Sequence, residues 1–358
     1  MSSLQTPPST VSTVSTVNTV SIIAPCRNEH AHIDSFCADA LAQQLPAPWR
    51  LELCIADGES DDGTRERLQA LAAADARVRW VSNPGRIVSC GLNQALALAQ
   101  GEVIVRMDIH TSYACDYVAQ CLAALAETGA DNVGGPWCAE PAAGAGATAL
   151  AVAAAFQSAA VAGGADSRRL GFAGWVDTVY LGCWPRATFQ RFGPFDESLV
   201  RNQDDEHNLR LRKGGGRIWQ SPHIRSRYRP RAALRAVWLQ WFQYGYWKPF
   251  VIVKHRQPAS LRHLVPAAFV GAEVLTLALA LLGGLWAPWA LLTLTYAAAV
   301  LALSTAVARS AQLPAAAALR VPAVIAAYHL GYGLGSWPGW FDALRGKAGR
   351  ARFTTLTR

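Results

Sequence analysis

Two apolar runs near the C-terminus set the strongest limit on what this chain can become. Val265–Trp286 is 22 residues with one charge, Glu273, and Pro288–Ala308 is 21 residues with none. Each is long enough to cross the hydrocarbon layer of a bilayer. Gly283-Gly284-Leu285-Trp286-Ala287-Pro288 between them reads as a tight turn, which makes the pair a helical hairpin. A buried hairpin in a soluble protein is the competing reading. Lys254, Arg256 and Arg262 before the pair and Arg309 after it place both ends on the cytoplasmic side. Glu273 is either a functional intramembrane acid or an acid near the interface. Leu313–Phe341 is apolar but carries Arg320, His329 and several Gly and Pro, so it reads as a third span or a re-entrant segment; its length favours the span. The membrane region is thus 263–341 with two or three spans, followed by a basic tail, 342–358.

Charge supports that arrangement. The net charge is +8, and between Arg225 and Ala272 there are nine Lys/Arg and no acid. A basic segment directly before an apolar run suits an anionic cytoplasmic membrane face better than nucleic acid, for which no motif is visible. Residues 231–262 read as a basic, aromatic interfacial helix and linker, with Trp and Tyr suited to the headgroup layer. An ordinary packing helix is the alternative. Residues 1–18, rich in Ser, Thr, Val and Pro without a basic n-region, read as a disordered lead-in rather than a signal peptide. The eight cysteines show no CxxC spacing, which argues against a zinc knuckle and for buried thiols in a reducing compartment.

Between these ends, strand-like and helix-like stretches alternate with short connections. Strands are expected at 20–24, 51–56, 78–82 and 102–107, and helices at 30–44, 64–74 and 89–100. The pattern predicts an α/β fold: a mostly parallel sheet with helices on both faces. Ligands of such sheets bind beyond the carboxyl ends of the strands. Pro25, Asp57 and Asp108 all fall at those ends. Val103-Ile104-Val105-Arg106-Met107-Asp108-Ile109-His110 is the most pointed case, an apolar strand that delivers an acid and then an imidazole to a loop; an Asx turn would look the same. Further on, 113–128 and 147–162 read as helices, 131–135 and 177–184 as strands, and 163–174 as an acceptor-side gate or a plain linker. Gln203-Asp204-Asp205-Glu206 opens another helix, where carboxylates suit the dipole whatever else they do.

Four motifs carry a resemblance. Pro25-Cys26-Arg27-Asn28-Glu29, Asp57-Gly58-Glu59-Ser60-Asp61-Asp62-Gly63-Thr64, Asp108-Ile109-His110 and Gln203-Asp204 with Arg210 and Arg212 resemble, in order and spacing, the P-x-x-N-E, D-G-x-S-x-D-G-T, D-x-D and E-D motifs of the family 2 glycosyltransferases. The R-M-D-x-H and R-N-Q-D-D-E variants look most like the branch that builds bacterial exopolysaccharides, similar to succinoglycan glucosyltransferases. The resemblance covers 19–230 and implies a GT-A catalytic domain there. The processive signature Q-x-x-R-W is absent, which favours single addition. His110 replaces the second aspartate of D-x-D, and Gln203 the usual glutamate.

The resemblance implies a metal-dependent enzyme, and the apolar runs with their flanking charges anchor it in the bacterial inner membrane with its catalytic domain cytoplasmic, which in turn implies a lipid-linked acceptor. It would move a sugar, glucose by analogy, with inversion from a UDP-sugar to a lipid-linked acceptor, a polyprenyl-linked saccharide, in exopolysaccharide synthesis. Asp204 is the expected general base. Asp108 would hold Mg²⁺ or Mn²⁺ against the leaving diphosphate. His110 would be a neutral second ligand or orient a phosphate. Asp57 would accept a hydrogen bond from uracil. Pro25, Asn28, Glu29 and Asp62 would line the nucleotide pocket, and Arg86 would reach a phosphate or stay solvated. Gln203, Asp205, Arg210 and Arg212 fall on the acceptor side or behind it; the two arginines are expected to pair with local carboxylates. A polyprenyl-phosphate sugar synthase, and a nucleotide-binding membrane scaffold without activity, are the competing readings.

Overall fold

A computed structural model describes residues 18–347. The lead-in expected over 1–18, except its last residue, and the last part of the basic tail, with Arg350 and Arg352, lie outside the described residues. The elements run β1 (Thr19–Cys26), α1 (Ile33–Leu41), β2 (Arg50–Asp57), α2 (Thr64–Ala74), β3 (Val78–Ser82), α3 (Val88–Leu98), β4 (Val103–Arg106), β5 (Thr111–Tyr113), α4 (Tyr117–Thr128), β6 (Asn132–Gly135), α5 (Ala147–Gln157), β7 (Gly174–Trp175), β8 (Tyr180–Pro185), α6 (Arg186–Phe192), α7 (Gln203–Lys213), β9 (Ile218–Gln220) and β10 (Ser226–Tyr228). The helical C-terminal part is α8 (Leu234–His255), α9 (Val265–Gly283), α10 (Trp286–Ser310), α11 (Ala315–Ala318) and α12 (Val321–Leu344).

Eight strands form one sheet in the order β3-β2-β1-β4-β8-β6-β9-β7. β1 pairs in parallel with β2 and β4, and β2 with β3; β8 is antiparallel to both β4 and β6. The period-2 alternation of side chains builds two cores. Val20, Ile22, Leu53, Ile55, Val103 and Val105 face one layer with α1 and α4, while Ile23, Cys54, Ala56 and Ile104 face the other with α3. Both faces are therefore covered, as the near-continuous apolar strands require. Burial pushes the Cys37 and Cys54 thiols up to about 12, so they stay protonated and inert.

β5 and β10 form a separate antiparallel ribbon just beyond the end of β4. Tyr113, on β5, closes on the turn at Asp108: the Asp108 N–H donates to Tyr113 Oη at 2.6 Å, and the Tyr113 hydroxyl donates to the Asp108 carbonyl at 3.1 Å. The short strand, missed because 113–128 reads as a continuous helix, fixes the backbone of the most pointed loop in the molecule.

Two helical segments, Leu261–Gly283 and Trp286–Ser310, are long and apolar enough to cross a membrane. They expose Leu275, Leu282, Leu291 and Leu294. α12 is the segment expected as a third span. It is not among those two, and 13 of its 24 residues are buried. Much of that burial is against α8, which falls within the helix and linker expected over 231–262 and buries Gln240, Gln243, Tyr246, Trp247 and Lys248. Thus α8 is a packed helix over much of its length rather than one lying with a free face.

Glycines permit the α8–α12 contact. A Cβ on Gly335 would lie 2.1 Å from the Phe242 carbonyl oxygen, one on Gly339 2.2 Å from that of Tyr246, and one on Gly245 2.0 Å from that of Tyr332. Spacing by four places these small residues on one ridge, and the backbones approach through it. Gly335→Ala is expected to cost about 1–3 kcal/mol through forced separation of the helices. Thermal unfolding of the detergent-solubilised protein checks this against Gly171→Ala, where a Cβ meets nothing within 4 Å; equal melting temperatures for the two variants would refute it.

Candidate active site

The loops after β1, β2 and β4 meet on one edge of the sheet, because Cys26 is in register with Asp57 and Ile23 with Arg106. Pro25 lies in β1, beside Ala56. Asn28, at φ 54°, bridges the first two loops: its N–H donates to Ser60 Oγ at 2.8 Å and its Nδ2 to Asp61 Oδ1 at 2.8 Å. The Glu29 N–H donates to Thr64 Oγ1 at 2.9 Å.

Several acids and bases expected to meet the nucleotide are already engaged. Asp57 is fully buried and accepts from Ser60 Oγ at 2.6 Å and Arg65 Nε at 3.0 Å. A uracil contact there would compete with both. Asp62, expected to line the pocket, accepts from Thr64 and from the His30 N–H at 3.1 Å, so it braces one loop against the other. Slight burial opposes its ionisation, but these hydrogen bonds win and hold its pKa down. Arg86, at φ 55°, is ion-paired to Glu59. His110 is 53% exposed, with Nδ1 3.6 Å from Glu29 Oε1. Asp62, Arg86 and His110 each meet a partner from a different loop, which spacing along the chain does not reveal.

Arg106 organises the centre of the site and was not singled out by sequence. Its Nε and Nη2 donate to the two oxygens of Asp108 at 2.9 and 3.1 Å. Its Nη1 is buried, lacks a hydrogen-bond partner and lies 4.0 Å from Asp204 Oδ2. Burial alone would weaken this cation, but the charges of Asp108 and Asp204 keep it protonated. One guanidinium therefore joins the acid at the end of β4 to the acid at the start of α7. An arginine inside an apolar strand was the available signal.

Four consecutive residues at the head of α7 have four environments. Gln203 is buried, and Asp204 keeps 41% of its side chain exposed. Asp205 is ion-paired to Lys248 of α8. Glu206 is fully buried among Arg210, Lys254 and His255. Arg210 also donates to the carbonyls of Phe192 and Pro194, so it anchors α7; Arg212 is exposed. Desolvation and the charge of Asp205 raise the Asp204 pKa, with Arg106 opposing them. Asp205 moves the other way: burial would raise it, and Lys248 overrides burial.

Asp204 also borders a cavity of ≈590 Å³. Its lining includes the charged side chains of Asp205, Lys248, Arg168 and Arg262, and also Val265 and Phe269 of α9, Val300 and Leu303 of α10, and Tyr328 of α12. Trp137 stacks on Tyr180 at 4.9 Å along one side.

The fit to a divalent cation is partial. Among the described residues no three His, Cys, Asp or Glu side chains converge on a metal position. Asp108, 19% exposed and at the strand end, suits a cation that takes one protein carboxylate and completes its shell from phosphate oxygens and water. Arg106 would have to yield an oxygen of Asp108 to it.

This sheet, with acids at its carboxyl edge and a further acid facing them from a helix N-terminus, is the framework of a GT-A glycosyltransferase. Residues 21–143 match Glycosyl transferase family 2. The succinoglycan biosynthesis protein ExoA of Rhizobium meliloti (strain 1021) is 34% identical over 251 residues, 69% of this chain and 74% of that protein. The chain belongs to glycosyltransferase family 2 and is related to that exopolysaccharide protein. Mannosyltransferase PcManGT from Pyrobaculum calidifontis, solved in complex with GDP-Man and Mn2+, superposes with a TM-score of 0.56 at 19% identity, over 89% of this chain and 86% of that one. At that identity the likeness is one of fold.

The Asp204–Asp205–Lys248 arrangement predicts a pH effect. Lys248→Gln removes the cation that holds Asp205 ionised, so both carboxyls bind protons more tightly. The acid limb of the pH–rate profile for glycosyl transfer moves to higher pH. An unmoved limb would mean that this pair does not control it.

Proposed function

We propose that the chain is an inverting, single-addition glycosyltransferase that moves a sugar from a UDP-sugar to a polyprenyl-linked saccharide at the cytoplasmic face of the inner membrane. The observation that carries this reading is the cavity, which joins Asp204 to apolar walls of α9 and α10, the two helices long enough to span a bilayer. A soluble acceptor would need no such wall. The kinship with a succinoglycan biosynthesis protein supports an exopolysaccharide product, with glucose as the sugar first tested.

In this reading Asp204 accepts the proton of the acceptor hydroxyl. Its raised pKa, partial exposure and place at the mouth of the cavity suit that task. Asp205, held ionised by Lys248, supplies field rather than proton transfer. Asn28, Glu29 and Asp57 shape the pocket for the nucleotide, with Asp62 bracing it. A divalent cation held by Asp108, when bound, would act as the Lewis acid that neutralises the leaving diphosphate. Arg106 then faces both the donor's charge and the base. A transfer to a bare polyprenyl phosphate needs little deprotonation, so dependence on Asp204 separates the two enzyme readings.

Asp204→Asn is expected to lower transfer about 10²–10⁴-fold while leaving UDP binding intact. Turnover measured with UDP-glucose, Mn²⁺ and a lipid-linked oligosaccharide, beside calorimetric UDP titration, reads both quantities; near-normal turnover would end the base assignment. Asp108→Ala is expected to remove the Mn²⁺-dependent part of UDP-glucose affinity. Identical titrations of this variant with Mn²⁺ and with chelator are the supporting result, and a retained Mn²⁺ effect the contrary one.

A further inference from the structure

One side chain lining the cavity is out of electrostatic balance. Arg168 is 7% exposed, and its Nη1 is buried with no hydrogen-bond partner. Among the described residues no carboxylate lies within ion-pair distance of it. Its neighbours there are compensated: Arg262 lies 2.5 Å from Asp177, and Lys248 is paired to Asp205. Two aromatic rings hold the Arg168 guanidinium, its carbon 3.6 Å from the Phe156 centroid and 4.2 Å from that of Trp137.

Burial lowers the Arg168 pKa to about 10, which still leaves it charged at neutral pH. A buried cation without a counter-charge is unfavourable, and ring faces compensate it only in part. The same rings fix the plane of the fork. A planar fork with a free N–H in a desolvated wall is suited to oxygens of a phosphate.

Resting on the lipid-linked acceptor proposed above, we propose that Arg168 is the anion anchor of that acceptor: its guanidinium binds the diphosphate of a prenyl-linked saccharide, while the prenyl chain packs on the apolar side chains that α9, α10 and α12 give to the same cavity. The anchor places the first sugars of the acceptor toward Asp204, on the wall of the same cavity. No bond is made or broken at Arg168; its role is binding and position.

The test uses the full-length protein in detergent, as wild type, Arg168→Gln and Arg168→Met, titrated with farnesyl diphosphate, farnesol, inorganic pyrophosphate and UDP. Wild type is expected to bind farnesyl diphosphate more tightly than farnesol or pyrophosphate. Both variants are expected to weaken farnesyl diphosphate at least about tenfold and to keep UDP affinity within about twofold. Their ligand-free melting temperatures are expected to be no lower than wild type, because an unpaired buried charge has gone. Unchanged farnesyl diphosphate affinity in the variants overturns the anchor. So does a parallel loss of UDP affinity, which would assign Arg168 to the donor, or pyrophosphate binding as tightly as farnesyl diphosphate, which would make this a free-anion site. Variants that melt lower or fail to fold also overturn it, since Arg168 would then be a structural cation. Wild type that binds no farnesyl diphosphate defeats the lipid-linked acceptor itself, a different failure from any of these.

Discussion

Much of this structure depends on the burial of one guanidinium. Arg106 sits 7% exposed at the end of a central strand, where an uncompensated charge would be prohibitive. It is compensated from two directions. Asp108 follows it on the same chain segment, and Asp204 arrives from a helix almost a hundred residues later. The charge of Arg106 thus adds to the Arg210 and Glu206 contacts that hold α7 against the edge of the sheet. It also couples two carboxylates electrostatically. Charge added beside Asp108 changes the field felt at Asp204 through a group that touches one and faces the other.

α8 makes a second junction of the same kind, between the sheet domain and the C-terminal helices. Toward the sheet it offers the cations Lys248 to Asp205 and Lys254 to Glu206, with the His255 ring also on Glu206. Toward α12 it offers backbone, through Gly245 and the carbonyls that face Gly335 and Gly339. Ion pairs on one side and close backbone packing on the other leave α8 little freedom to tilt. Trp241 and Tyr244 then stand in the cavity wall in fixed positions. The aromatic and basic composition that suits a lipid headgroup layer suits this role equally, because both ask a side chain to be apolar along its length and polar at its tip.

That ambiguity marks where sequence reading stops. Strand ends, helix periodicity and turn residues are local properties, so the α/β order and the positions of Asp57, Asp108 and Asp204 at helix or strand ends were legible, with boundaries shifted by a few residues. Both faces of the sheet being covered was legible too, from strands such as Ile22-Ile23-Ala24 that carry no polar face. What was not legible depends on partners distant in sequence. Asp62 and His30, Arg86 and Glu59, and His110 and Glu29 meet only after the loops are folded against each other. The glycine ridge of α12 was present in the sequence as a spacing of four. It reads as weakness in a helix until a second helix is known to lie on it.

The head of α7 shows why residue type alone does not assign a role. Asp204, Asp205 and Glu206 are three acids in a row, all favoured by the same helix dipole. Helical geometry points them in three directions, about 100° apart. Glu206 falls inward onto a cluster of cations and is committed to holding α7 in place. Asp205 falls toward α8 and is held ionised by Lys248. Asp204 lines the cavity beside Asp205 and stays partly exposed, and there desolvation and the charge of Asp205 raise its affinity for a proton. Environments of this kind push the proton affinities of neighbouring carboxyls apart. The division of labour comes from the neighbours, and the neighbours come from β4, α8 and the helices beyond it.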